Sequence, residues 1–258
     1  MSAMVGFREA LRSGRVLVGG VITFADPLVS DALAEPLDFL WIDLEHCAMS
    51  PEAVAGHLLV GRARGVPTLV RVAAGDTPFI KQALDAGAEG IIVPLITSVK
   101  EVRSIVGDCR YPPLGRRGIH PRVPSNYGRA GGPEFLERQN REVFVTVQIE
   151  TAEAYAALDD ILAVPTLDSV MIGTQDLSAA LGYPSQIDHP AVLEAIGSIA
   201  GRARAAGVFV GLGGGMDPDY ARRVTDLGIQ WIQYGADYNY MLAFADREMA
   251  AVRKLVNS

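Results

Sequence analysis

Three ionisable side chains follow one short apolar run of the sequence. Residues 39–42 are all apolar, as expected of a strand that is covered on both faces. Asp43, Glu45 and His46 come directly after this run. A carboxylate can orient an imidazole and hold it as a general base, which predicts a role for His46 in proton transfer. Asp43 is one candidate for that carboxylate, and Asp85, in a later turn, is a second.

Acidic side chains also end the apolar runs of two other predicted strands. Glu150 closes the run at residues 143–150. Asp176 lies just beyond the run at residues 168–173. Two carboxylates on neighbouring strands could share one ion, and oxygen ligands with other positions left to water or substrate favour Mg²⁺ or Mn²⁺ over zinc. The alternative is that both acids are ordinary helix caps.

Arg71 is the only arginine that ends a predicted buried strand. A guanidinium in that place suits bidentate binding of a carboxylate or stabilisation of an oxyanion, and the alternative is a salt bridge that closes the fold. Lysine is scarce, and none of the three lysines ends a strand, so Schiff-base chemistry has no evident nucleophile. Of the other histidines, His57 and His189 are interpreted as structural, and His120 as a loop residue.

The elements that must position these side chains are eight short apolar strands that alternate with helices. This pattern within about 250 residues predicts an α/β protein, a (β/α)₈ TIM barrel over residues 1–258 as a single domain. An open doubly wound sheet uses the same alternation, but no strand precedes a GxGxxG turn. In such a barrel the active site lies at the carboxyl ends of the strands. The predicted strands lie within residues 16–22, 39–46, 67–72, 87–94, 143–150, 168–173, 208–212 and 229–235.

Composition excludes several classes of protein. The 258 residues are 49% hydrophobic with a net charge of −7 and no basic block, which argues against nucleic-acid binding and against attraction to anionic lipid. Cys47 and Cys109 are the only cysteines, so neither a disulfide framework nor a zinc ribbon is expected. No apolar run approaches the roughly 20 residues needed to span a bilayer. The sequence therefore predicts a cytoplasmic protein.

Six ordered motifs resemble the pyruvate-dependent, metal-requiring class II aldolases, and the resemblance covers essentially the whole chain. That family includes 4-hydroxy-2-oxoheptanedioate aldolase and 2-dehydro-3-deoxyglucarate aldolase. The motifs are Asp-x-Glu-His at 43–46, Arg-Val at 71–72, Leu-Asp-Ala-Gly-Ala at 84–88, Tyr-Pro-Pro-Leu-Gly-Arg-Arg-Gly at 111–118, Gln-Ile-Glu-Thr at 148–151 and Asp-Leu-Ser at 176–178.

The resemblance implies a reversible cleavage of a 4-hydroxy-2-oxo acid to pyruvate and an aldehyde. It implies that Glu150 and Asp176 hold a divalent metal, Mg²⁺ or Mn²⁺, with Co²⁺ or Zn²⁺ as alternatives. Arg71 would contact the keto oxygen that becomes the enolate, and His46, supported by Asp43 or Asp85, would transfer protons. The resemblance also implies a homohexamer, a trimer of dimers that exchange the last helix. The implied substrate-binding residues are Gln148, Gly173, Thr174, Gln175, Arg122 and Leu212.

Three segments depart from the family pattern. Residues 173–176 read Gly-Thr-Gln-Asp where the family usually has Gly-Pro-Ala-Asp, and residues 211–215 are unusually rich in glycine. The long aperiodic connection from residue 111 to about 133 is more polar and proline-rich than usual around residues 119–127. These segments are expected to line the substrate side, so the aldehyde and the natural substrate stay open.

Two other functions use the same scaffold. One branch of the family resembles a siderophore-type citrate synthase, which condenses oxaloacetate with an acetyl thioester such as acetyl-CoA. Arg122, with Arg117 or Tyr127, could bind the extra carboxylate of such a substrate. A non-catalytic metabolite-binding barrel is the remaining alternative, and its expected mark is loss of the base, the arginine or the metal ligands. All of these are present in the sequence.

Overall fold

The computed structural model describes residues 2–119 and 122–257. Its eight parallel strands form a closed barrel in which each strand pairs with its neighbours in the chain and β8 pairs with β1. The predicted (β/α)₈ barrel is thereby confirmed. The strands are β1 (Leu17–Ile22), β2 (Leu40–Asp43), β3 (Thr68–Arg71), β4 (Gly90–Val93), β5 (Phe144–Ile149), β6 (Ser169–Gly173), β7 (Phe209–Gly214) and β8 (Trp231–Ala236).

Helices cover the outside of the barrel, and their starts follow from local sequence. Ser50 caps one helix by accepting a hydrogen bond from the Ala53 backbone N–H, and Pro51 occupies its first turn. The helices are α1 (Ala3–Arg12), α2 (Pro27–Leu33), α3 (Pro51–Arg64), α4 (Thr77–Ala86), α5 (Val99–Cys109), α6 (Gly132–Glu142), α7 (Ala152–Ala156), α8 (Leu158–Leu162), α9 (Thr174–Ala180), α10 (Pro190–Ala205), α11 (Pro218–Asp226) and α12 (Asp237–Val256).

No helix in the described part of the chain is long and apolar enough to cross a membrane. The cytoplasmic location stays a prediction from the sequence.

The second strand is shorter than the predicted stretch at residues 39–46. It ends at Asp43, where the Oδ1 atom of that side chain accepts a hydrogen bond from the Glu45 backbone N–H at 3.0 Å. An aspartate that binds the backbone two residues ahead makes a local turn, which competes with the ladder of the sheet. The turn lifts residues 44–46 out of the strand and onto the rim of the barrel.

The connection, in its described residues 110–119 and 122–131, lies at the end of the barrel away from that rim. It joins the end of α5 to the start of α6, which leads into β5, and a connection from helix to strand in a (β/α)₈ barrel lies at the amino ends of the strands. A contact of this connection supports the placement. A Cβ atom on Gly87, just before β4, would lie 2.9 Å from the Val123 side chain. The expectation that residues 119–127 line the substrate side is therefore wrong for the barrel to which they belong.

Aromatic side chains fill the amino half of the barrel interior. Phe7 of α1 packs edge-on against Phe39, Phe144 and Trp231, with ring centroids 5.4 to 6.4 Å apart. Edge-to-face pairs of this kind add about 0.5–1.5 kcal/mol each to the burial of the rings. These rings close the amino end, so only the carboxyl end of the barrel can admit a ligand.

A buried ion cluster fastens the amino ends of β5 and β6. Asp168 accepts hydrogen bonds from Arg8 Nη2 and Arg110 Nη2, both at 2.7 Å, and from the Val145 backbone N–H at 2.9 Å. The Arg8 and Arg110 side chains are 7% and 2% exposed, so water cannot replace the carboxylate if it is lost. Removing one partner of such a cluster is costly because it leaves uncompensated buried charge.

We expect Asp168→Ala to lower the free energy of unfolding by about 3–5 kcal/mol, because two buried guanidinium groups lose their counter-ion. Denaturant unfolding followed by circular dichroism measures the change. Asp159→Ala is the matched control, since that side chain is 80% exposed in its ion pair with Arg202. The control should change stability by no more than about 1 kcal/mol, and equal losses in the two variants would contradict the prediction.

Candidate active site

A cavity of about 810 Å³ opens at the carboxyl ends of the strands. Its lining combines charged side chains from β2, β3 and β5 with backbone from the segment between β6 and α9. Nine of the twelve residues that the sequence predicts for the site line it: Asp43, His46, Arg71, Gln148, Glu150, Gly173, Thr174, Gln175 and Asp176.

The centre of the charged wall is an ion pair between neighbouring strands. Asp43 and Arg71 are register partners at the ends of β2 and β3. Arg71 donates from Nε to Asp43 Oδ1 and from Nη2 to Asp43 Oδ2, both at 2.9 Å, and its Nη1 lies 2.9 Å from Glu45 Oε2. The Arg71 side chain is only 13% exposed, yet it lines the cavity. The salt bridge given as the alternative is present, and since the same arginine also lines the cavity, its contact with a ligand stays a prediction.

The bond to Arg71 changes the role predicted for Asp43. Burial alone would raise the pKa of Asp43, but hydrogen bonds from the guanidinium and its charge outweigh it and hold that pKa below its usual range. A bidentate guanidinium is a stronger partner for a carboxylate than an imidazole is. His46, whose side chain is 67% exposed, has Glu45 Oε2 at 3.8 Å from its Nε2 instead. The carboxylate beside His46 is therefore Glu45, and Asp43 orients Arg71.

Trp41 supports this arginine and was missed in the sequence. The Arg71 guanidinium carbon lies 5.2 Å from the centre of the Trp41 ring, and the Trp41 side chain is buried. A cation over an indole face is attracted by the ring quadrupole, more strongly where water is excluded. The available signal was strand alternation, because a residue two positions before Asp43 points to the same face of the strand.

Glu150 is buried at the end of β5 and held by two donors. The Leu95 backbone N–H donates to Oε1 at 2.7 Å, and Gln148 Nε2 donates to Oε2 at 2.5 Å. Burial raises the pKa of Glu150, with smaller contributions from the charges of Glu45 and Asp176. Glu150 does not cap a helix, because Thr151 caps α7, and Asp176 lies inside the first turn of α9. The alternative interpretation of this pair as helix caps is wrong.

The charges around this wall suit a divalent cation. Arg71 is the cation of the wall, and four carboxylates, those of Asp43, Glu45, Glu150 and Asp176, act on one another there. Burial raises the pKa of Glu45 despite its ion pair with Arg71, as expected of a carboxylate with too little positive charge nearby. The described residues hold no cluster of three or more His, Cys, Asp or Glu side chains that could bind a metal alone. An ion here would take two carboxylates from the protein and its other ligands from substrate or water.

Gly173 leaves the space in which the Glu150 carboxylate lies. A Cβ atom on Gly173 would overlap Glu150 Oε2, so any larger residue must displace that oxygen. We therefore expect Gly173→Ala to weaken Mn²⁺ binding about 10- to 100-fold, as loss of an outer-shell contact does at other metal sites. Calorimetric titration with Mn²⁺ measures this.

Gly201→Ala is the control for this prediction, because a Cβ atom at that helical position meets open space. It should bind Mn²⁺ as the unaltered protein does. Undiminished binding by Gly173→Ala, with its fold intact by circular dichroism, would contradict the prediction.

Three of the predicted site residues do not reach the cavity of their own chain. Asp85 precedes β4 near the end of α4, and Arg122 lies in the connection before β5, so both belong to the amino end of the barrel. Leu212 is fully buried in the layer between strands and helices, because alternation along β7 turns it outward and turns Gly211 and Gly213 inward. The geometry does not support a contact of these three side chains with substrate in that cavity.

The remaining histidines are structural where the structure describes them. His57 is buried, with its Nδ1 atom 2.7 Å from Ser30 Oγ, and His189 caps α10 by accepting from the Ala191 backbone N–H. Both agree with the prediction. His120 lies outside the described residues.

Comparison with known proteins agrees with this geometry. A model of the family described as HpcH/HpaI aldolase/citrate lyase matches residues 23–243. The 4-hydroxy-2-oxovalerate aldolase of Rhodococcus jostii is 36% identical over 254 residues, covering 97% of this chain and 96% of that protein. The hydroxypyruvate/pyruvate aldolase of Roseovarius nubinhibens is 35% identical over 246 residues, covering 95% of each. The crystal structure of citrate synthase SbnG has a TM-score of 0.86 at 28% identity, covering 97% of this chain and 98% of that one.

Proposed function

The chain belongs to the HpcH/HpaI aldolase/citrate lyase family and is a carbon–carbon lyase, and from this premise we propose that it reversibly cleaves a 4-hydroxy-2-oxo acid to pyruvate and an aldehyde. The observation that carries the proposal is the charged wall, where Arg71 lies among four carboxylates, of which Asp43, Glu150 and Asp176 line one open cavity. Cleavage leaves an enolate, which needs positive charge at the keto oxygen and a group that moves protons.

We propose that Glu150 and Asp176 hold a divalent metal, Mg²⁺ or Mn²⁺, because two carboxylates with open positions suit these ions. When bound, such an ion supplies Lewis-acid stabilisation of the developing negative charge. Gln148 orients Glu150 for this task through its Nε2 bond. The backbone from Thr174 to Asp176 borders the same cavity, and the resemblance implies that its N–H groups bind the pyruvate carboxylate.

Arg71 is proposed to contact the keto oxygen. Its bonds to Asp43 use two of its five N–H groups, which leaves N–H groups on Nη1 and Nη2 for a ligand. Since Asp43 and Trp41 fix the plane of the guanidinium, the group needs little reorganisation as charge grows on the oxygen. Lysine could not replace this planar, bidentate contact.

His46 is proposed to move the proton of the reaction. As the C3–C4 bond breaks, the 4-hydroxyl loses its proton to His46 and becomes the aldehyde carbonyl, while the bonding electrons pass to the enolate. The same proton can then be returned to C3 to give pyruvate. Glu45 Oε2 lies 3.8 Å from His46 Nε2 and would orient the imidazole for these two transfers.

The test is pyruvate formation from 4-hydroxy-2-oxo acids with Mg²⁺ or Mn²⁺, coupled to a pyruvate-specific readout. We expect release that stops with EDTA and falls at least about 100-fold in Glu150→Ala, since a ligand to the ion is lost. Glu153→Ala removes an exposed carboxylate nearby and should leave the rate unchanged. No pyruvate from any such acid, despite bound metal, would contradict the proposal.

A siderophore-type citrate synthase is the second candidate, and the likeness to the SbnG structure favours it. The extra carboxylate of that enzyme's substrate would need a cationic partner in the cavity. Arg122 is at the amino end, and Arg117 is buried against Tyr111, so neither reaches the cavity of its own chain. Citrate formed from oxaloacetate and acetyl-CoA, without pyruvate-dependent aldol activity, would establish this candidate instead.

A non-catalytic metabolite-binding barrel is disfavoured by the site itself. Such a protein has no need to retain the base, the arginine and the carboxylates together, and His46, Arg71, Glu150 and Asp176 all line one cavity. If the protein bound a metabolite without metal and turned over no 2-oxo acid, this alternative would be supported instead.

We propose that the protein assembles through α12 into the homohexamer, a trimer of dimers, that the resemblance implies. Of the 20 residues in this helix only Asp237 is buried. An exposed apolar surface of this size on one element indicates a contact with another chain. Apart from Tyr238, which lines the cavity, the exposed apolar side chains of α12 are Met241, Leu242, Phe244, Met249, Val252, Leu255 and Val256.

We expect the double substitution Leu242→Glu and Phe244→Glu to convert the assembly to single chains, because it places charge in an apolar contact. Light scattering coupled to gel filtration measures the mass. Asp246→Lys, an exposed charge change on the same helix, should leave the mass unchanged. A single-chain mass for the unaltered protein would refute the assembly.

A further inference from the structure

Two aromatic side chains border the cavity away from its charged wall. Phe24 follows β1 and is 39% exposed, and Tyr238 lies in the first turn of α12 and is 43% exposed. Both line the cavity that holds Arg71 and Glu150. Their exposure leaves apolar ring surface in water at the mouth of a site, where a ligand could cover it.

The backbone at both rings is fixed by one buried carboxylate. Asp237, 4% exposed, accepts from the Phe24 backbone N–H through Oδ2 and from the Tyr238 backbone N–H through Oδ1, both at 2.9 Å. It also accepts from the Thr23 backbone N–H at 2.7 Å and from Thr23 Oγ1 at 2.6 Å. Four donors on one carboxylate hold the loop after β1 against the start of α12, so the backbone that carries both rings is fixed at the mouth.

The two sides of the cavity differ in chemistry. The charged wall suits the 2-oxo acid, whose carboxylate and keto oxygen need cations and N–H donors. The lining next to the rings comes from Val21, Thr23, Gly235, Ala236 and Asn239, which carry no charge. A substrate that spans the cavity therefore places its acid end at the wall and its other end beside the rings.

We infer that Phe24 and Tyr238 form the binding site for the aldehyde substituent, and that this substituent is flat and apolar, such as an aryl group. A flat ring gains from offset or edge contacts with both side chains, whereas a methyl group or a hydroxylated chain gains little. The inference rests on the proposed aldolase activity and specifies its acceptor.

The test compares benzaldehyde with acetaldehyde as acceptors for pyruvate. In the addition, C3 of pyruvate loses a proton and bonds to the aldehyde carbon, and the aldehyde oxygen takes up a proton, so no oxidant or reductant is needed. We expect the unaltered enzyme to prefer benzaldehyde in kcat/KM. This preference should fall about 3- to 10-fold in Phe24→Ala and in Tyr238→Ala, and Tyr238→Phe should retain it because the ring remains.

Phe79→Ala is the matched control. Phe79 is 43% exposed and lines a separate apolar cavity between α3 and α4, so its loss should leave the ratio unchanged. Exchange of the pyruvate methyl protons in D₂O, followed by NMR, requires the enolate but no aldehyde. It therefore separates the acceptor step from the proposed chemistry.

Each outcome decides between the two proposals. Exchange and acetaldehyde addition without a preference for benzaldehyde, or with a ratio that Phe24→Ala leaves unchanged, would overturn the acceptor site alone. The acceptor site would also be overturned if Phe24→Ala or Tyr238→Ala lowered the rate of proton exchange as much as the rate of benzaldehyde addition. The same holds if either variant dissociated the assembly and left the ratio of the two kcat/KM values unchanged. Absence of exchange and of addition with both aldehydes would instead refute the aldolase proposal.

Discussion

The bidentate ion pair between Arg71 and Asp43 is the constraint on which the site depends. It joins two neighbouring strands at their carboxyl ends, where the closed barrel fixes their register. The pair places one permanent cation among four carboxylates in a partly buried cavity. Taking these charges out of water is costly, and the cost is offset only when the geometry is good and further partners are present. Trp41 beneath the guanidinium and Glu45 beside it are those partners, and the remaining excess of negative charge is what a divalent cation would neutralise.

Much of this arrangement could be predicted from the sequence, because a parallel barrel brings the carboxyl ends of its strands to one rim. Residues that follow a strand, such as His46, Glu150 and Asp176, were placed correctly by that rule alone. Asp85 and Arg122 follow helices, and the same rule assigns them to the opposite end. Their motifs suggested a place in the site, but a motif does not show at which end of the barrel its residues lie. Leu212 failed for a related reason, since its position in the alternation of β7 faces the helices.

Other features could not be predicted from the sequence, because they depend on which of several possible partners a side chain binds. Asp43 lies three residues from His46 and is the register partner of Arg71 on the next strand, and only the structure shows that the guanidinium binds both oxygens. Asp237 gave no signal, because its four donors come from its own helix and from a loop more than 200 residues earlier. Contacts of this range are decided by closure of the barrel, which local patterns do not encode.

The cluster of aromatic rings at the amino end of the barrel has a consequence for folding during synthesis on the ribosome. Phe7 belongs to the first helix, and its ring packs on Trp231, at the start of the last strand. Since synthesis proceeds at about 5–20 residues per second, the first helix waits on the order of ten seconds or more for this partner. During that time its apolar face and the open edges of the unfinished sheet are exposed to other chains. Closure therefore comes late and joins β8 to β1, so a nascent chain released early would lack both the final strands of the barrel and the packing of Trp231 on Phe7.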